Sequence, residues 1–522
     1  MDVGTIVARS MVRYRNRIAL VGPEGSMTYG QLGSRIFQLA RALRALGLET
    51  EDRVLDLQSN QNTYIETDLG ISTAGLCRVA LNYRLHPNDW VRITKDCGAK
   101  VLILDSKFWD DSAPVRELVD HIIVIKGDAD GATPYEKFLS AQSSEPLGIT
   151  VAPDTLVSLN YSSGTTGNPK GAIRTHRNRL ASLGNIVTDI FGRIPNENDI
   201  WVHAGPVTHT SGLFVLPFFT FGAKQVVHAK YEPELLLEEI EKRGANATAL
   251  VPTMVARLLT LDGINPERFK NLQMLGYAGA PMPADQIREC FERITTHMVQ
   301  YYGLVEAIPP VTVLSEADHQ LGLASAPEVL SSAGNPCTTV EIRIVDEEGK
   351  DVASGEIGEV ITRGDHVMRG YFGAAGSDPN VTKAVRDGWL HTGDLGRLDG
   401  DNRLYLVDRK GDMIISGGYN IYPREIEDVI AEVAEINEVA VLGASDKEWG
   451  QRVTAFVSLK PHASLDESAV IAKVLEHCKA KMASYKKPKD VIVVKEFPLN
   501  STGKISKKTL KADLEKSQGA KS

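Results

Sequence analysis

Cysteine is scarce in this chain: five in 522 residues (Cys77, Cys97, Cys290, Cys337 and Cys478), with no C-x-x-C pair among them. An odd, scattered set supports neither a disulfide framework nor a zinc site, and it points to a reducing cytoplasm. Positive charge is in deficit as well, with 58 Lys and Arg against 67 Asp and Glu and a net charge of −9. That balance argues against nucleic acid as a principal partner. Long apolar runs are missing. The oiliest stretch, residues 213–221, is too short to span a bilayer and contains Pro217, and the N-terminus lacks the apolar core of a signal peptide, so no transmembrane segment is expected. There is no internal repeat, no low-complexity tract and no G-x-S-x-G elbow, which sets a hydrolase aside.

What is present belongs to a globular enzyme acting on small molecules, with 43% hydrophobic and 24% charged residues. A single hydrophobic core stops growing at about 250 to 300 residues, so at least two domains are expected. From Tyr29, Leu32, Ile36, Leu39, Leu43 and Leu46 fall at steps of three and four, which predicts a helix with one buried stripe. Further on, helical patterns at residues 232–243 and 283–293 alternate with short apolar runs at Val226-Val227, residues 249–251 and residues 274–277. Such alternation predicts layered α/β architecture with largely parallel strands. From Val340 the texture becomes β, and after Asp408 a fresh helix start at Tyr422-Pro423-Arg424-Glu425 opens a small α+β unit. The expected fold is therefore α/β, with residues 1–408 forming a large N-terminal domain of layered α/β subdomains plus a β subdomain, and residues 409–522 a small α+β domain.

One segment stands out chemically. Residues 162–171 read Ser-Ser-Gly-Thr-Thr-Gly-Asn-Pro-Lys-Gly. Its glycines let backbone approach a bulky anion, and its hydroxyls and ammonium supply donors, as a polyphosphate requires. The preceding residues 156–161 alternate like a strand that delivers the loop at its end, where α/β proteins place ligands. The spacing is not that of a Walker A loop, because Lys170 is followed by Gly171 instead of Ser or Thr.

Four distant segments complement this loop. Tyr301-Tyr302-Gly303-Leu304-Val305-Glu306 offers an aromatic face for a base and a carboxylate suited to Mg²⁺. Asp394, in Leu390-His391-Thr392-Gly393-Asp394, can accept from two ribose hydroxyls. Asp408-Arg409-Lys410-Gly411-Asp412 puts charge beside glycine at the proposed boundary, and Asn500-Ser501-Thr502-Gly503-Lys504 carries a lysine on a tight turn.

In these five motifs, taken in order, the chain resembles the adenylate-forming enzymes: acyl- and aryl-CoA synthetases, adenylation domains of peptide synthetases, and beetle luciferases. The resemblance implies a large domain hinged to a small mobile one. It further implies that Ser163, Gly164, Thr165, Thr166, Gly167 and Lys170 grip the β- and γ-phosphates of ATP, and that Gly279-Ala280-Pro281 forms an adenine-lining strand. Tyr302, followed by Gly303, would stack on the base with Gln300 at its amino edge. Asp394 and Arg409 would hold the ribose, and Glu306 with Thr166 would serve Mg²⁺. Lys504 would bridge the substrate carboxylate and the α-phosphate. The resemblance also implies that Ser416, Gly417, Gly418 and Tyr419 approach a pantetheine tunnel after the small domain rotates, with Trp449 contacting CoA.

The implied reaction joins a fatty or aryl carboxylic acid to CoA at the expense of ATP. The alternative is delivery of the acyl group to a carrier-protein pantetheine or another acceptor; a degenerate nucleotide-binding scaffold is a rival of another class. The acyl pocket is expected among His203, Gly205, Val207, His209, Ser211, Gly212, Tyr277, Ala278, Leu304 and Val305. A homodimer is admitted. Two departures from the family pattern are visible. Val305 replaces a hydroxyl residue, which would remove one hydrogen bond and slow the reaction by roughly three- to tenfold. Gly411 stands at the hinge, where Asp or Lys is usual, and should still permit rotation.

Overall fold

The computed structural model describes all residues except 163–169, 374–383, 417–418, 447–448, 461–465, 500–504 and 520–522. The chain forms two compact units. The larger comprises Met1–Arg343, Ile361–Thr392 and Asp401–Leu404; the smaller comprises Ile344–Val360, Gly393–Gly400 and Tyr405–Ser522.

Two mainly parallel sheets build the larger unit. Their strands in chain order are β1 (Ile18–Gly22), β2 (Gly25–Thr28), β3 (Arg53–Leu57), β4 (Cys77–Ala80), β5 (Val101–Asp105), β6 (His121–Ile125), β7 (Thr133–Pro134), β8 (Leu156–Ser162), β9 (Lys170–Thr175), β10 (Ile200–His203), β11 (Lys224–Val227), β12 (Ala247–Leu250), β13 (Met274–Ala278), β14 (Met298–Leu304), β15 (Ala307–Leu314) and β16 (Asn335–Pro336). One sheet runs β7-β6-β5-β3-β4-β8-β9 and the other β16-β15-β14-β13-β12-β10-β11-β1-β2. In the first, β9 alone is antiparallel to its neighbour; in the second, β2, β15 and β16 are.

Helices on both faces explain why β5, β12 and β13 are buried at every residue and read as apolar runs rather than alternating ones. The helix expected from Tyr29 spans Tyr29–Ala45. It starts with a reciprocal capping box between Thr28 and Gln31, and buries Leu32, Ile36, Leu39 and Leu43; Leu46 is its C-cap. Each such side chain contributes about 1.5–3 kcal/mol of burial. Helix Asn62–Thr73 packs so closely there that a Cβ on Gly70 would stand 2.6 Å from Leu39 Cδ2. Leu39→Ala would open that contact and cost about 2–5 kcal/mol.

In the smaller unit, strands Ile414–Ser416, Tyr419–Ile421, Ile436–Asp446, Gly450–Leu459 and Asp490–Val493 form one mixed sheet. Its core joins Ile414, Val441 and Val457 to Ile426 and Ile430 of helix Pro423–Ala431 and Val474 of helix Glu467–Lys481. The expected helix start is present, with Tyr422 as N-cap and Pro423 at the first turn.

Candidate active site

In the larger unit the candidate residues gather at strand ends. Strand β8 leads into the phosphate segment and β9 leads out of it, antiparallel, with Lys170 as its first residue. Ser163, Gly164, Thr165, Thr166 and Gly167 lie outside the described residues, as do Gly417, Gly418 and Lys504. Lys170 Nζ stands 5.7 Å from the centroid of the Tyr371 ring, a cation–π arrangement.

Gly279, Ala280 and Pro281 follow β13 rather than forming a strand: β13 ends at Ala278, and the chain bends at Gly279, whose φ is +90°. A side chain is strained at that φ, and the bend turns the backbone away from the sheet. The adenine-lining strand expected there is thus a strand end plus a loop. On neighbouring β14, Gln300 pairs with Tyr277, and the half-buried Tyr302 lies two residues further along the same strand. Ligand sites in such sheets lie outside the carboxyl ends of parallel strands, where Ala278 and Leu304 end theirs.

Strands β14 and β15 form a hairpin in which Leu304 pairs with Ala307, so Val305 and Glu306 are its two-residue turn. The register shifts between Tyr302 and Leu304, where a Cβ on Gly303 would lie 2.7 Å from Pro309 Cγ. Glycine is required by that close approach. Arg174, on β9, donates to the Val305 carbonyl from Nη2 at 2.8 Å and Nε at 3.3 Å. Burial pushes the Arg174 guanidinium down to about 10, against the pull of the Glu306 carboxylate. Tyr371 Oη donates to Glu306 Oε1 at 2.8 Å, and burial beside that carboxylate raises the phenol.

The residues expected around the acyl group separate into two sets. His203 is fully buried; its Nε2 lies 2.8 Å from Gln225 Oε1, while Nδ1 lies 2.8 Å from Ser211 Oγ and accepts from Trp201 Nε1 at 3.2 Å. With Gln225 accepting, His203 carries its proton on Nε2, and burial pushes its pKa down to about 4. Tyr277 is also fully buried, its hydroxyl 2.8 Å from His319 Nε2. These three polar groups, Ser211 included, are spent on internal bonds. His209 sits differently, at the N-cap of the short helix Thr210–Phe214, with Nε2 3.3 Å from Asn82 Nδ2. At Gly212 a Cβ would meet the Val207 carbonyl at 2.2 Å, so the His209 loop folds back on itself. Half-exposed Leu304 and Val305 and buried Ala278 complete this second set. Among the described residues no group of three His, Cys, Asp or Glu side chains forms a metal cage.

In the smaller unit, Asp394 on strand Trp389–Leu398 and Arg409 at the end of strand Leu404–Arg409 form an ion pair, Nε to Oδ1, at 3.1 Å. The Asp394 side chain is 9% exposed and that of Arg409 59%. Asp408 accepts from its neighbour's amide at 2.7 Å and from Arg424 N at 3.0 Å, which ties the segment to the first turn of helix Pro423–Ala431. Burial raises the Asp408 carboxyl. A Cβ on Gly411 would meet nothing within 4 Å, and its φ is outside the left-handed region. Ile415, Tyr419 and Trp449 are exposed; Tyr419 stacks on Tyr485 with centroids 4.6 Å apart, and Lys489 Nζ lies 5.9 Å from the Trp449 ring. Ser416 pairs with Gly450.

Tyr371, Arg174 and Asp408 were not singled out as site residues from sequence. Arg174 left a signal, since a charged residue in a strand directly after a phosphate-type loop needs a partner; Tyr371 left none.

Comparison with known proteins fits these features. The model of the AMP-binding enzyme family matches residues 7–372, and that of the AMP-binding enzyme C-terminal domain matches residues 425–504. The chain is 33% identical over 526 residues to a medium/long-chain-fatty-acid–CoA ligase, FadD8, of Mycobacterium tuberculosis, covering 98% of this chain and 89% of that protein. It is 33% identical over 487 residues to a feruloyl-CoA synthase of an Amycolatopsis species, covering 92% and 93%. The ATP-bound crystal structure of MatB from Rhodopseudomonas palustris superposes with a TM-score of 0.87 at 27% identity, covering 98% of this chain and 99% of that one.

Proposed function

Because this chain belongs to the AMP-binding enzyme family, we propose that it is an AMP-forming carboxylic acid–CoA ligase, which adenylates a carboxylate with ATP and transfers the acyl group to CoA as a thioester. One observation carries the reading: relatives matched over more than nine-tenths of the chain are named for joining carboxylic acids to CoA.

The chemistry follows from charge. In the first half-reaction a carboxylate oxygen bonds to the α-phosphorus of ATP and the bond to pyrophosphate breaks. Two anions must meet, so cations have to offset their repulsion. Lys170 and the hydroxyls of Thr165 and Thr166 hold the departing pyrophosphate, and Lys504 bridges the carboxylate and the α-phosphate. Glu306 fits Mg²⁺, a hard cation that takes one or two carboxylates plus substrate phosphates, because it offers a carboxylate oriented by Tyr371 on a two-residue turn. When bound, that ion neutralises phosphate charge. Tyr302 and Gln300 face the base, and Asp394 with Arg409 holds the ribose. In the second half-reaction the CoA sulfur bonds to the acyl carbon and AMP leaves. A thiol of pKa about 8.5 is already partly thiolate at neutral pH, so positioning suffices without a dedicated base.

The functional boundary lies at 408/409, with Gly411 as hinge. As CoA-side contacts, Trp449 and Tyr419 are supported by their exposure and by their partners, Lys489 at the Trp449 ring and Tyr485 stacked on Tyr419. The acyl group is a fatty or aryl chain whose wall is His209, Gly212, Ala278, Leu304 and Val305, with His203, Ser211 and Tyr277 bracing that wall from the core. Cytoplasmic residence belongs to the same reading, supported by five cysteines that are all free and buried.

The test is a CoA-dependent AMP-release assay over acids from short aliphatic to fatty and aryl. AMP and thioester should appear together with at least one acid. Acid-dependent pyrophosphate exchange without CoA thioester would shift the acceptor to a carrier protein, and absence of exchange across the panel would refute an adenylating activity.

A further inference from the structure

We infer that Tyr371 and Arg174 are positioning residues that clamp the Val305-Glu306 turn and so fix the Glu306 carboxylate for the metal-bound triphosphate; this rests on the metal role proposed for Glu306.

The turn gets little help from its own geometry. Two-residue hairpin loops favour primed turns, which need positive φ at one or both central residues, and neither Val305 nor Glu306 has positive φ. Its shape is instead imposed from outside. Arg174 forks onto the Val305 carbonyl, Met368 N donates to the Glu306 carbonyl at 2.8 Å, and Tyr371 Oη donates to the Glu306 carboxylate. Both peptide planes flanking the Glu306 Cα and the end of its side chain are thereby restrained.

Both clamps share one anchor. Arg174 belongs to β9, whose first residue is Lys170. Tyr371 is sutured to the same strand: it bridges Ala172, Ile173 N donates to the Gly370 carbonyl at 2.9 Å, and Phe372 N donates to the Gly171 carbonyl at 2.8 Å. The expected phosphate lysine and the expected metal carboxylate are therefore registered through a few residues of one strand. The choice of side chains suits this task. A phenol orients a carboxylate while leaving its negative charge for a divalent cation, whereas a lysine would compete for it. Arg174 spends its hydrogen bonds on the Val305 main-chain carbonyl, and its charge reaches Glu306 only through space.

The test measures Mn²⁺ binding by electron paramagnetic resonance in the presence of a non-hydrolysable ATP analogue, with analogue affinity in EDTA as the control for general damage. Glu306→Gln should raise the Mn²⁺ Kd. Tyr371→Phe and Arg174→Met should each raise it roughly tenfold, the lower end of what outer partners of metal ligands contribute. Adding Tyr371→Phe to Glu306→Gln should change it no further. Metal-free analogue affinity should stay within about twofold. A normal Mn²⁺ Kd in Tyr371→Phe, with a raised one in Glu306→Gln, overturns the clamp alone. No effect of Glu306→Gln overturns the metal role and the clamp with it. Equal losses of Mn²⁺ and metal-free analogue binding show a merely structural tyrosine and overturn the clamp too.

Discussion

Arg409 reaches Asp394 with Nε 3.1 Å from Oδ1, and the carboxylate is almost buried while the guanidinium is more than half exposed. The pair brings together two residues of the smaller unit, fifteen apart in sequence and on two different strands. Its asymmetry leaves it a small part in stability. An ion pair with one exposed partner contributes roughly 0–1 kcal/mol to stability, and the proposed ribose role asks the same carboxylate to accept from sugar hydroxyls.

Asp394→Asn is therefore expected to raise KM for ATP, lowering kcat/KM for ATP by roughly 10- to 100-fold, the worth of a charge-assisted hydrogen bond. The melting temperature should fall by no more than a few degrees. Steady-state kinetics beside thermal unfolding checks this; a large loss of stability with unchanged KM would make the pair structural.

Lys504→Ala should lower the rate of acid-dependent pyrophosphate exchange by roughly a hundredfold or more, as loss of a group contacting developing charge does. Thioester formation from supplied acyl adenylate should survive. Equal losses in both half-reactions would remove the assigned role.

Val305→Thr should leave activity equal or raise it by up to roughly tenfold, because the hydroxyl adds a hydrogen bond while Arg174 grips only the main-chain carbonyl. A large drop for one acid but not another would show that Val305 shapes the acyl pocket.

Gly411→Asp should fold normally, since its Cβ meets nothing within 4 Å and its φ does not demand glycine. Melting curves should overlay; a shift of several degrees would contradict the open surroundings of that position.

Stability should depend on pH through three buried histidines. His176, His203 and His366 are each pushed down to about 4 by burial, with Arg179 adding to the effect at His176. A folded pKa below the unfolded one means that the folded state binds fewer protons, so this stability is fully present above pH 6.5 and is lost as pH falls toward 4. At pH 5 each histidine should cost about 2 kcal/mol relative to pH 7. Thermal unfolding from pH 7.5 to 5 should show a steady decline that His203→Gln makes shallower; a flat profile would mean that these rings titrate normally.

The helix at Tyr29, the buried strands and the small α+β unit were legible because each rests on local periodicity and burial, as in the Leu32, Ile36, Leu39 and Leu43 stripe. The motifs at Glu306, Asp394 and Arg409 were legible because they concentrate unusual residue types at short range. The resemblance implied only that Asp394 and Arg409 both hold the ribose; their ion pair was not legible, since no local pattern links the two strands. His203 and Tyr277 illustrate the opposite limit. Both lie near the ends of strands that point toward ligand sites, but strand alternation does not tell which face meets Gln225 or His319. Tyr371 was invisible for the same reason: its partner is 65 residues away on a hairpin turn. The bend at Gly279 was not legible, because the apolar run at residues 274–277 gives no sign of where pairing stops and the resemblance extended a strand over Gly279-Ala280-Pro281.

The most direct test of the adenylation chemistry uses a carboxylic acid substrate identified by the panel and labelled with ¹⁸O in its carboxylate. If the carboxylate oxygen attacks the α-phosphorus, one labelled oxygen must appear in AMP after CoA-dependent turnover, and pyrophosphate must be unlabelled. Label in inorganic phosphate, with ADP as the nucleotide product, would contradict an acyl adenylate and with it the reading of this chain as an AMP-forming ligase.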